Sequence, residues 1–134
     1  MQSENYLWRA VVVNALEDTM ILRHDRKSST LKTNAHMWII NSCKDYDKVC
    51  NWAMLDPEHV LQAYIKALNN KNIIFCNKHL YWQKYNILFK KSRDCIDLRI
   101  KKIIKKEMKD IKKAVLNEKV SYDVTIHNSP VLTD

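Results

Sequence analysis

The sequence predicts a mainly α fold: a small helical domain with a helix-turn-helix-like core, a long basic C-terminal helix and minor β structure, either a hairpin or a strand. Three observations carry this. Apolar residues recur at the helical period along much of the 134-residue chain. A helix-start dipeptide, Asp56-Pro57, follows a short apolar helical pattern with only a tight turn between them. Over about 92–117, isoleucines spaced by three and four are surrounded by lysine. The length suits one domain, expected over 1–118, with 119–134 an extended or strand-like tail.

The first helix is expected over 4–20, where Leu7, Trp8, Val11, Val12, Ala15, Leu16 and Met20 share one broad apolar face. Residues 23–32 are polar, with Ser28, Ser29 and Thr30, and read as a loop. A short second helix follows at about 34–41, with Ala35, Trp38 and Ile39 inward. Asp45 or Asp47 caps a third, in which Val49, Cys50 and Ala53 share a face. Asp56 is the N-cap and Pro57 the N1 residue of a fourth, which carries Val60, Leu61, Tyr64, Ile65 and Leu68. With no Gly in the chain, Asn69 and Asn70 are the residues best suited to a left-handed helix end. Two helices joined by a tight turn over about 45–69 have helix-turn-helix spacing. Met54 stands where such a turn usually has Gly.

Residues 71–91 admit two readings. In one, 73–76 and 79–82 form a hairpin, the wing of a winged helix. In the preferred one, 73–76 is a short extended piece and a helix starts at about 78–80, with Tyr81, Trp82, Tyr85, Leu88 and Phe89 on one face. The basic helix has Ser92 and Asp94 as candidate caps and a stripe of Ile96, Ile100, Ile103, Ile104, Met108, Ile111 and Val115. Val120, Tyr122, Val124 and Ile126 then alternate with polar residues, as in a half-buried strand, and the tail ends in Ser129-Pro130.

The net charge of +8 is uneven. Residues 1–68 hold eight basic and eight acidic side chains, and 69–134 hold fifteen and seven. The absence of Gly excludes Walker A, dinucleotide-binding and nucleophile-elbow motifs. Apolar content of 46% argues against disorder. Abundant Lys, Asn and Ile point to a low-GC coding sequence, as in viruses and mobile elements. No secretory signal or bilayer-length apolar run stands out, so the expected place is the cytoplasm (the host's, for a virus), with Cys43, Cys50, Cys76 and Cys95 reduced.

Leu7-Trp8-Arg9-Ala10-Val11, Trp38-Ile39 and Val49-Cys50-x-x-Ala53-Met54-Leu55-Asp56-Pro57 together resemble a small domain of phage and bacterial proteins that has no assigned function. There, a Trp-bearing first helix precedes a Val-Cys-x-x-Ala-Gly-Leu-Asp-Pro helix-turn-helix. The resemblance covers residues 7–68 and departs at Met54. It implies a helix-turn-helix module suited to DNA in a phage or mobile element.

The chemistry with most support is phosphate contact. Lys84, Lys90, Lys91, Arg93, Arg99, Lys101, Lys102, Lys105, Lys106, Lys109, Lys112 and Lys113 are the candidates. The plain alternative is a solvated helix face. On the fourth helix, His59, Gln62 and Lys66 are candidate groove readers: Gln matches adenine, and Lys meets guanine or phosphate. Asp56 and Glu58 at its N-terminus repel phosphate, which favours a structural or protein-docking role for that helix, with Leu61 and Ile65 on its surface. The aromatics could stack on bases but sit at core positions. Cys76-x-x-His79 has metal-ligand spacing without a matching second pair, so no metal is expected. No enzymatic activity, cofactor or membrane partner is expected. The expected function is nucleic-acid binding, mostly DNA phosphate, by a regulatory or accessory protein of a virus or mobile element. The alternative is a non-enzymatic module that docks on a protein, an acidic one suiting the charge.

Overall fold

Asp25, Asp56 and Asp97 each cap the start of a helix. A computed structural model describes residues 3–42, 44–122 and 124. Its helices are α1 (Ser3–Thr19), α2 (Arg26–Ile40), α3 (Lys44–Trp52), α4 (Pro57–Asn69), α5 (Asn77–Asp94) and α6 (Leu98–Asn117), and no strand occurs among the described residues. No described helix is long and apolar enough to cross a membrane.

α1 buries Val12 and half-buries Trp8, Ala15 and Leu16. Leu7, Val11 and Met20 are exposed, so the buried face is narrower than the apolar pattern. The largest correction is at α2. It begins at Arg26, inside the stretch expected to be a loop, and Asp25 caps it by accepting from Ser28 N–H. Ser28, Ser29, Lys32, Thr33 and His36 face inward, so its buried side is polar and carries no apolar period. Lys32 Nζ donates to the carbonyls of Thr19 and Ile21 at 2.6 and 2.7 Å and lies 4.5 Å from the centre of the Phe75 ring. These partners compensate a fully buried ammonium. Burial still pushes its pKa down to about 8.

α4 begins as expected, with Asp56 accepting from Glu58 N–H, whereas α3 begins at Lys44, so Asp45 and Asp47 stand inside its first turn and do not cap it. Cys50 and Ala53 are fully buried where the helices approach. Tyr64 of α4 is buried in the same core. Tyr46 hydroxyl donates to the Pro57 carbonyl, and Arg9 Nε donates to the Ala53 carbonyl. Both bonds clamp the turn. Leu55 N–H bonds Cys50 carbonyl and Met54 N–H bonds Asn51 carbonyl, the paired pattern of a Schellman end. Met54 takes the left-handed residue of that pattern, at φ 62°. α4 ends the same way, with Asn72 bonded to Ala67 and Lys71 to Leu68. There the left-handed residue is Lys71 at φ 61°, not Asn69 or Asn70. Without Gly, both ends carry roughly 1–2 kcal/mol of backbone strain each.

Met54 is 68% exposed, so its side chain contributes little packing. Met54→Gly is therefore expected to raise stability by about 0.5–1 kcal/mol, less than the strain because Gly also loosens the unfolded chain. Urea unfolding at constant m value checks it; an unchanged or lowered midpoint rejects the strain argument.

The segment before α5 is extended, with Ile73, Phe75 and Cys76 buried, and no hairpin forms. His79 locks the start of α5. Its Nδ1 accepts from Cys76 N–H and its Nε2 donates to the Arg23 carbonyl. That arrangement requires the neutral ring, and burial lowers its pKa accordingly. The predicted basic helix divides. Ser92 and Asp94 belong to α5, the chain breaks at 95–97, and Asp97 caps α6 by accepting from Arg99 N–H. Ile96 lies outside the helix, and Ile100 and Ile103 are largely exposed. Only Ile104, Met108, Ile111 and Val115 of the expected stripe pack inward. Among the described residues of the expected extended or strand-like tail no strand forms, and residues 119 and 121 are pinned to α5. Asn77 exchanges backbone and side-chain hydrogen bonds with Lys119 and Ser121, one residue where a ladder needs a whole edge. Val120 and Tyr122 are exposed; Ile126 and Ser129-Pro130 lie outside the described residues.

Two cores result. The first joins α1 to α4 and the 73–75 segment around Ile39, Ile40, Tyr46, Val49, Tyr64 and Phe75. The second joins Trp82, Tyr85 and Leu88 of α5 to Ile111 and Val115 of α6. Each large side chain buried there contributes about 1.5–3 kcal/mol. α2 links the cores through its contact with α5. The Arg26 guanidinium, 4.8 Å from the Tyr85 ring centre and 5.6 Å from that of Phe89, fastens this contact.

Candidate nucleic-acid interface

α6 packs on α5 along one stripe, which leaves most of its circumference in solvent. Lys102, Lys106, Lys109 and Lys113 recur at i, i+4, i+7 and i+11, so they stand in one row. At 1.5 Å rise per residue the row is roughly 16 Å long. Lys105 and Lys112 flank it, and all six are exposed. Lys101 is half-buried against the α5 side. Glu107 and Asp110 fall on the other flank, with Ile103, where Asp110 borders the row at i+4 from Lys106 and i−3 from Lys113. Among the described residues, none of these lysines is in an ion pair.

The expected site residues do not form one set. Lys84, Lys90, Lys91 and Arg93 belong to α5, and Arg93 pairs with Asp94 at 3.6 Å. Arg99 is exposed in the first turn of α6. His59, Gln62 and Lys66 are exposed together on one face of α4. Gln62 Nε2 donates to Glu58 Oε1 at 2.9 Å, so its amide is already engaged beside a carboxylate. α4 packs on α3 and α2, and α6 on α5, so the α4 group belongs to the first core and the lysine row to the second. Leu61 and Ile65 pack against the first core.

The aromatic residues divide between core and surface. Trp82 and Tyr85 are buried, and Tyr81 is half-buried. Trp8 stacks on Trp52 with ring centres 4.7 Å apart, and Trp52 remains 48% exposed beside the α3–α4 turn. His79 has both ring nitrogens bonded, and among the described residues no group of three or more His, Cys, Asp or Glu is placed to hold a metal ion. Cys43 lies outside the described residues.

Sequence reasoning missed the role of α2. Lys32 and Arg26 read as loop polarity, yet they hold the first core and the α2–α5 contact. Only Asp25 followed by Ser28 gave a local sign of a helix start. No family model, curated protein or solved structure matches this chain.

Proposed function

We propose that this protein binds nucleic acid, duplex DNA first, through the phosphate backbone, as a regulatory or accessory protein. The observation that carries the reading is the lysine row Lys102, Lys106, Lys109 and Lys113, flanked by Lys105 and Lys112, exposed on α6 and in no ion pair among the described residues. A row of this kind binds by releasing counterions from the phosphates. Lys84, Lys91 and Arg99 add to the positive field. The α3–turn–α4 unit is read as a helix-turn-helix whose His59, Gln62 and Lys66 approach the duplex second. The carboxylates of Asp56 and Glu58, and the Glu58–Gln62 bond, make base reading by α4 subordinate to phosphate contact.

If about five phosphates are neutralised, log Kobs falls by about 4.5 per decade of salt. Fluorescence anisotropy with an arbitrary duplex from 50 to 300 mM KCl measures this slope. Weak or salt-insensitive affinity overturns the proposal, and a preference for one sequence that survives high salt returns α4 to the leading role.

A further inference from the structure

We infer that the protein has a second binding surface, distinct from the lysine row: a groove on α2 and α5 that takes an acidic amphipathic helix of a partner protein. The start of α2 touches the middle of α5, where Arg26 meets Tyr85 and Phe89 and Thr30 meets Asn86. A groove of about 840 Å³ opens beside this contact, bounded by residues from Thr33 on α2 to Asn41 just after it and from Gln83 to Asp94 on α5. Met37, Trp38, Ile87 and Ile104 supply its apolar surface, and Lys90 and Lys91 stand among its lining residues.

Three observations select the occupant. The α5 wall runs from Gln83 to Asp94, twelve residues and roughly 16 Å, which matches about three turns of helix. The groove is an open one lined by α2, α5 and Ile104 of α6, as in sites that take one face of an amphipathic helix. Its charge is positive: Asp94, the carboxylate in the lining, is paired with Arg93, while no ion pair holds Lys90 or Lys91 among the described residues. A partner helix therefore presents Leu- or Ile-like anchors inward and Glu or Asp toward Lys90 and Lys91. Ile96 and Leu98, which follow Asp94 and Cys95 in the chain, are exposed at 95% and 77%. Trp38 is set firmly in the wall, since its Nε1 donates to Asp45 Oδ2 at 2.9 Å.

The test uses the full chain and two fluorescein-labelled amphipathic peptides of 14 residues, one apolar face of Leu in each, the polar face Glu in one and Lys in the other. The acidic peptide is expected to bind and the basic one not. Ile87→Gln, at a half-buried position, and the exposed pair Lys90→Glu/Lys91→Glu each weaken acidic-peptide binding by roughly tenfold or more. Replacement of Lys102, Lys106, Lys109 and Lys113 by Gln leaves it within about threefold, since the row is not part of the groove. Circular dichroism confirms the fold of each variant. Absence of acidic-peptide binding, equal binding of the basic peptide, or indifference to both groove variants overturns the inference. So does a dimer in sedimentation that Ile87→Gln abolishes, because the groove's occupant is then a second copy of this chain.

Discussion

Replacing Lys102, Lys106, Lys109 and Lys113 together by Gln is expected to lower affinity for arbitrary duplex DNA by more than about a hundredfold near 100 mM salt, and to reduce the salt slope by about three to four. Each lysine that meets a phosphate accounts for about one counterion, so slope and affinity fall together. The four side chains are exposed and unpaired among the described residues, so the fold is expected to be indifferent to their loss. The matched comparison is His59→Ala/Gln62→Ala/Lys66→Ala on α4, which is expected to change affinity by less than about tenfold. If the α4 variant loses binding and the α6 variant keeps it, the phosphate-led proposal is wrong and the α3–α4 unit carries recognition.

Lys32→Met is expected to destabilise the protein by about 2–4 kcal/mol at pH 7. Methionine fills most of the volume, but the Thr19 and Ile21 carbonyls lose their donor in the link between α1 and α2. The variant also changes the pH profile. The folded-state pKa near 8 lies below the ordinary lysine value of 10.5, so between these values the unfolded chain binds more protons. The Lys32 contribution therefore makes stability rise with pH from about 8 to about 10.5, and leaves it level below 8. Cys50, Tyr46 and Tyr64 act in the opposite sense. Burial raises their pKa values, so the folded protein keeps protons that the unfolded chain loses, and stability falls as pH rises above about 9 to 10. The wild-type-minus-variant difference isolates Lys32. Urea midpoints at pH 7, 8.5 and 9.5 give that difference; if it does not widen with rising pH, Lys32 is not the buried cation described here.

Legibility followed the kind of signal each element carries. α1, α3 and α4 announce themselves because their buried residues are apolar and their starts carry acidic or Asp-Pro signals. α2 does not: Lys32 and His36 find their partners in Thr19, Ile21 and Tyr64, Thr33 bonds carbonyls of its own helix, and a polar buried face has no hydrophobic period. The lysine row was visible at once from spacing. Its separation from the α4 group was not, because nothing local sets which helices pack together. The groove was equally hidden, since Met37, Trp38, Ile87 and Ile104 come from three helices.

By itself the sequence determined the helical class, the Asp56-Pro57 start and the confinement of excess charge to the second half, since periodicity, capping and charge are properties of neighbouring residues. Tertiary structure decided where the long basic pattern breaks. Ser92, Asp94 and Asp97 are comparable caps locally; packing Ile111 and Val115 against Trp82 and Tyr85 requires α6 to fold back, and the turn at 95–97 provides that reversal. Packing also placed Met54 and Lys71 in left-handed conformations, because the helix ends must turn there and the chain has no glycine to do it. The +8 charge was thus legible as a stripe, while its position on a two-helix unit docked to α2 depended on contacts between residues far apart in the chain.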